Sequence, residues 1–235
     1  KDQGIEVRFV DPKEPESFAE ASDIRTRAYY GETLPNPKLT VFPIEEISKI
    51  GNKLGIPLII DNTAAPFICK PFEHGASIIL HSTTKYIGGQ GSAIGGVIID
   101  SGKFDWKKHS NQQPNLNLPD PSYHGAVWVD VAKPLGPIAY ILKARTTLLR
   151  DLGSSMSPFN AFHFIQGIES LPLRILKQCE NAEKVANFLS EHFKVKKVIY
   201  PSLSEKKDKL KVDKYFKNGF GGLIGFELKG GMKSG

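Results

Sequence analysis

The sequence holds only two cysteines, Cys69 and Cys179, far apart and in no CxxC pair. That spacing excludes a disulfide framework and a cysteine-built zinc site, and it fits reduced thiols in a cytoplasmic protein. Long apolar runs are missing as well: no stretch reaches the roughly 18 apolar residues that a membrane helix needs, and no secretory signal opens the chain. No GxGxxG and no GxSxG occurs, which weakens a dinucleotide loop or a nucleophile elbow as readings. Gly88-Gly89-Gln90-Gly91 lacks the dinucleotide spacing, and Asp100 follows too soon to serve as a ribose acid. His74, His81, His109, His124, His163 and His192 are not spaced as metal ligands, so no metal is expected. A basic stripe is lacking too, although the formal net charge is +6. The lysines are scattered, and the cluster Lys206, Lys207, Lys209 and Lys211 is interleaved with Glu205, Asp208 and Asp213, as in a solvated face. Nucleic-acid binding is therefore not expected.

What is present is ordinary for a globular chain: 40% hydrophobic and 24% charged residues in a total of 235. That length suits one large domain, or one domain and part of another. The chain starts at Lys1 rather than at a methionine and ends at Gly235 just past an expected strand, so both ends read as cuts through a larger protein. Strands are expected at Ile5–Val10, Ile24–Gly31, Leu58–Asp61, Ala76–Leu80 and Ala93–Ile99. Helices are expected at Glu14–Ala21 and at Pro43–Leu54, where Ile44, Ile47, Ile50 and Leu54 recur at helical spacing and Gly55 stands as a cap. Apolar strands without alternation, separated by helices or loops, predict an α/β fold with a mostly parallel sheet. The stretch Ser101–Tyr123, rich in Asn, Pro and Lys, predicts an irregular loop. Helices over Pro137–Arg150, Pro158–Ser170 and Pro172–His192 lead to strands at Val195–Tyr200 and Leu223–Leu228, the start of a smaller α+β domain.

Two strand ends carry chemistry. Leu58-Ile59-Ile60 delivers Asp61, and Ala76-Ser77-Ile78-Ile79-Leu80 delivers His81-Ser82-Thr83-Thr84-Lys85. The C-terminal ends of parallel strands are where open α/β sheets bind ligands. An acid and a lysine converging there suit pyridoxal 5'-phosphate (PLP), the acid holding the pyridinium nitrogen and the lysine forming the Schiff base. Ser82 and Thr84 stand close before Lys85 and can reach one phosphate, while the following glycines let backbone pass near a bound group. An isolated STTK is more often a surface turn, and a strand-end Asp-Asn is often only an Asx turn; the two features together favour the cofactor. Asn36, held between Pro35 and Pro37, sits in a restricted loop that either aims its amide at a ligand or is a plain surface turn.

The segment DNTAAPFICKPFEHGASIILHSTTKYIGGQG resembles the PLP-lysine region of the Cys/Met-metabolism family of fold-type I PLP enzymes. The resemblance runs over essentially the whole chain. It implies a PLP-dependent transferase fold of type I, with residues 1–171 as the central part of the large PLP-binding domain and 172–235 as a linking helix and the start of the C-terminal domain. It also implies Lys85 as the Schiff-base lysine, Asp61 as the pyridinium partner, Ser82 and Thr84 as phosphate-binding hydroxyls, and Asn36 beside the cofactor O3' and the substrate carboxylate. The family's phosphate loop and ring-stacking tyrosine are expected before Lys1, and its carboxylate-binding arginine after Gly235. FDWKKHSNQQPNLNLPDPSYHG and YILKARTTLLRDLGSSMSPFNAFHFIQGIESLPLR look like the O-acetylhomoserine sulfhydrylase branch.

What that branch implies is γ-replacement on O-acetyl-L-homoserine by sulfide or a thiol, giving homocysteine or methionine and acetate. The alternatives on the same scaffold are a methionine or cystathionine γ-lyase and a cystathionine γ-synthase; the alternative of another class is an inactive remnant acting only in assembly. The partners implied are an amino-acid substrate with sulfide or a thiol, and further copies of the chain in a homodimer or homotetramer.

Overall fold

A computed structural model describes residues 4–231, and a four-stranded sheet in the order β1-β2-β3-β4 lies at its centre. Strands β1 (Tyr29–Glu32), β2 (Leu58–Asp61) and β3 (Ile78–Ser82) run parallel, and β4 (Gly96–Asp100) runs antiparallel to β3. The apolar runs of β2 and β3 are those of strands covered on both faces. Between β3 and β4 the chain turns back through Thr83–Ile87 and a glycine-containing loop with no crossover helix, which is why β4 returns antiparallel.

Helix α1 (Glu16–Glu20) precedes β1, and α2 (Ile44–Leu54) precedes β2. Gly55 caps α2 in the left-handed conformation at φ 73°, as its position just past the periodic run predicts. Past β4 come four short helices, α3 (Pro114–Asn117), α4 (Trp128–Val131), α5 (Ala139–Lys143) and α6 (Arg150–Leu152), with a wide turn over Ala144–Leu149 joining the last two. The long helix α7 (Pro158–Glu191) follows, then β5 (Val195–Ile199), α8 (Lys206–Tyr215) and β6 (Gly225–Leu228), with β5 and β6 forming a separate antiparallel pair.

Period-two alternation splits β2 between two cores. Leu58 and Ile60 face a core built with Ile44 and Ile47 of α2, Phe164 and Ile175 of α7, and Tyr215 of α8. Ile59 faces the other, where Ile78 packs with Trp106, Leu116 and Trp128. Each fully buried Ile or Leu here contributes about 1.5–3 kcal/mol. Asp61 continues the Ile59 face, so its carboxylate leaves the sheet on the second side.

Several elements differ from the sequence expectation. Residues 5–10 form no strand, because nothing among the described residues pairs with them; Arg8 instead ties them to the Ala21 carbonyl and Asp23. The two helices expected on either side of Leu171 are one, α7, with Pro172 inside it. A proline removes one N–H from the ladder, and burial of Leu171 and Ile175 on either side of it offsets the loss. The basic cluster near Lys206 is helical, exposing Lys206 and Lys209 while Val212 and Tyr215 enter the first core.

The irregular loop after β4 is anchored at Asp120. Its Oδ2 accepts the Trp128 indole N–H at 2.8 Å and the Lys143 ammonium at 2.7 Å, and its Oδ1 accepts from Ser122. Lys143, then Ser122 and Trp128, hold this carboxyl far below the usual carboxylate range. The folded value lies below the unfolded one, so the stabilisation is fully present above about pH 4 and is lost as pH falls towards the folded value. Asp120→Ala is expected to lower the melting temperature at pH 7, by a margin that shrinks only below about pH 4. Thermal melts across that range check it, and a variant melting with the wild type at pH 7 contradicts it.

Candidate active site

Strands β1, β2 and β3 all end at one edge because they are parallel. Their register sets Glu32 opposite Asp61 and Asp61 opposite Leu80, so Tyr30, Glu32, Asp61 and Ser82 share one face of the sheet.

Asp61 has two roles to divide between two oxygens. Oδ1 accepts the Thr63 N–H at 2.8 Å, the Asx turn that the Asp-Asn pair allows. Among the described residues Oδ2 has only the Tyr30 hydroxyl, at a long 3.4 Å. One oxygen therefore builds the turn, and the other is open to a stronger donor. Burial first, then the charges of Asp61 and Glu32, push the Tyr30 phenol up to about 12, so it stays a donor. Burial and Asp61 also push the Glu32 carboxyl up, against the lowering effect of the Asn36 backbone N–H. The Asn36 loop follows directly on β1 at this edge; the Asn36–Pro37 peptide is cis and Asn36 itself is exposed.

The turn after β3 is joined to the turn after β2. Ser82 donates its backbone N–H to Thr63 Oγ1 at 2.8 Å, and buried Asn62 accepts from Thr33 Oγ1 at 2.8 Å while donating to the Cys69 carbonyl at 3.0 Å. These bonds stiffen the platform beneath Asp61. Thr83–Ile87 forms a wide turn that Lys85 interrupts with φ −89° and ψ −118°. The Lys85 side chain is exposed, and its ammonium has no hydrogen bond or ion pair among the described residues. The Ser82 hydroxyl is equally free among them. Thr84 is not: its Oγ1 accepts the Gly95 N–H at 3.0 Å and donates to the Gly95 carbonyl at 3.2 Å. To donate elsewhere it must give up that carbonyl. His81, on the opposite face, is kept below its ordinary pKa chiefly by burial, and its Nδ1 has no partner among the described residues.

The edge thus collects an open carboxylate oxygen, a free hydroxyl and a free amine from adjacent strand ends. Tyr30, Glu32 and Thr63 escaped the sequence reading. The signal for the first two was their i, i+2 spacing, which becomes visible only once β1 is extended to Glu32; Thr63 acts through backbone partners and left none. Cys69 and Cys179 are both free and buried, and burial pushes the Cys69 thiol up to about 12. No group of three or more metal-ligating side chains occurs among the described residues.

The chain is 48% identical to the O-acetyl-L-homoserine sulfhydrylase of Leptospira meyeri over 98% of its own length and 53% of that protein. It is 45% identical to the homocysteine/cysteine synthase of Saccharomyces cerevisiae over 96% of its own length and 51% of that protein. The chain spans about half the length of these curated relatives. A solved Campylobacter jejuni structure containing a pyridoxyl-lysine monophosphate superposes with a TM-score of 0.90 at 41% identity, covering 97% of this chain and 56% of that one. The O-acetylhomoserine sulfhydrylase structure from Wolinella succinogenes superposes at 0.81 with 34% identity, over 96% of this chain and 61% of that one. The α/β architecture is therefore that of these PLP enzymes. The family described as Cys/Met metabolism PLP-dependent enzyme matches residues 1–235, and the chain belongs to that family.

Proposed function

We propose that this chain carries the core of a PLP site for γ-replacement on O-acetyl-L-homoserine, in which sulfide or a thiol displaces acetate to give homocysteine or methionine. The observation that carries the reading is the meeting of Asp61, Ser82 and Lys85 at one sheet edge with their reactive groups unspent. The donor set fits PLP: a carboxylate oxygen for the ring N–H, a hydroxyl for the phosphate and an amine for the carbonyl. When bound, the cofactor supplies an electron sink for the charge that develops next to the substrate's amino group.

Lys85 would hold the cofactor through its amine, and the same amine would move protons at the substrate's Cα and Cβ. Asp61 Oδ2 accepts from the ring nitrogen and keeps it protonated, while Tyr30, a weak donor at 3.4 Å, gives way. Ser82 donates to the phosphate; Thr84 joins it only by releasing the Gly95 carbonyl. Asn36, on its proline-flanked loop, orients the substrate carboxylate. Residues 1–171 would make the central part of the large domain and 172–235 the remainder of the linking helix α7 and the start of the smaller one, the boundary falling inside α7. Exposed Phe159, Phe162, Ile165 and Ile168 on α7 support assembly into a homodimer or homotetramer. No helix among the described residues is long and apolar enough to cross a membrane; a cytoplasmic location is part of the proposal.

The purified protein with PLP, O-acetylhomoserine and sulfide is expected to release acetate and form homocysteine, with little turnover of methionine alone. Formation of 2-oxobutyrate and ammonia from methionine, with no homocysteine from the acetyl ester, would identify a γ-lyase instead.

A further inference from the structure

We propose that Arg174 is a positioning residue for Lys85, acting through the backbone of the lysine turn. The inference rests on the function proposed above. The guanidinium lies on α7, two residues past Pro172, and it meets no carboxylate among the described residues. It donates instead to four oxygens. Nη1 bonds the Tyr86 carbonyl at 2.8 Å, and Nη2 bonds the Ile87 carbonyl at 3.1 Å. Nη2 also bonds the Gly167 carbonyl at 2.8 Å, and Nε bonds the Ser170 hydroxyl at 3.0 Å. Two of these acceptors are the residues immediately after Lys85; the other two belong to the helix. A planar fork of N–H donors thus pins the lysine turn to a rigid element, a geometry that an ammonium cannot reproduce.

The surroundings are shaped for this clamp. A Cβ at Gly167 would strike the Ile87 and Gly88 carbonyls, so only glycine lets the turn lie directly on α7. A Cβ at Gly89, where φ is +74°, would strike the guanidinium itself. Ile87 and Phe164 close the contact within the first core. Lys85 therefore has a fixed backbone and a free side chain. A covalent tether needs both: the amine must reach one point and leave it repeatedly, and small misplacements there are costly in rate.

The test compares wild type with Arg174→Lys, which keeps the charge but not the fork, and with Gly167→Ala, which lifts the turn while leaving Arg174 intact. Three readouts are taken on the purified protein: amide hydrogen exchange over residues 83–91, the rate at which borohydride fixes added PLP on Lys85, and the pH midpoint of the near-visible absorbance of lysine-bound PLP. Both variants are expected to retain the wild-type circular dichroism, exchange faster at 83–91, and label Lys85 between about 10-fold and 100-fold more slowly, with a displaced pH midpoint. A wild type that labels at Lys85, with variants matching it in labelling and midpoint even if they melt earlier, overturns the inference alone and leaves Arg174 a stability residue. A wild type that fails to label at Lys85 overturns the cofactor reading and this inference with it. Unchanged exchange at 83–91 in Arg174→Lys also overturns it, whatever PLP does.

Discussion

Lys85→Ala is expected to abolish turnover and, with it, the near-visible absorbance of lysine-bound cofactor. The loss should exceed the roughly 10²–10⁴-fold that a proton-transfer group contributes alone, because the covalent tether goes as well. The substitution is mild for the fold. The side chain is exposed, makes no hydrogen bond among the described residues, and stands in a turn held by neighbours: Ser82 to Thr63, Thr84 to Gly95, and the Tyr86 and Ile87 carbonyls to Arg174. Circular dichroism and melting temperature should therefore stay close to wild type. A spectrum intact in the variant would remove Lys85 from the site.

Asp61→Ala should weaken PLP binding and slow loss of the substrate's Cα proton, but two causes are mixed in it, since the Asx turn to Thr63 is lost together with the charge. Asp61→Asn separates them. The amide oxygen can still accept the Thr63 N–H, so the turn and the Ser82–Thr63 link survive, while the ring nitrogen loses its anionic partner. The rate of the asparagine variant should fall on the order of 10²-fold or more, as when a preorganised electrostatic contact is removed from a reacting centre. Stopped-flow measurement of Cα proton exchange reads that step directly. Wild-type kinetics in Asp61→Asn would make Asp61 a turn cap and nothing more.

The parts of the site that were legible in the sequence are those where one residue breaks a strong local pattern. An acid at the end of Leu58-Ile59-Ile60, and a lysine after Ile78-Ile79-Leu80, stand out against strands with no polar alternation. Helix α2 was legible for the same reason, its apolar spacing closed by a left-handed Gly55. What was hidden depends on pairing. The antiparallel return of β4 follows from the absence of a crossover helix, which local propensity does not reveal. Ile5–Val10 has a strand's composition but no neighbour to bond among the described residues. Pro172 reads as a helix end from local rules, yet buried Leu171 and Ile175 carry α7 through it. Thr84 has the right residue type at the right place, and only the fold reveals that Gly95 already occupies its hydroxyl. Arg174 lies nearly ninety positions from the turn it holds and bonds backbone oxygens, so no motif marks it.

The most direct measurement is borohydride reduction of the purified protein after addition of PLP, followed by peptide mass mapping. A single phosphopyridoxyl group on the peptide containing Lys85, absent from Lys85→Ala, is the expected result. A label on another lysine, or none in the wild-type protein, would contradict the assignment of the Asp61–Lys85 edge as the cofactor site.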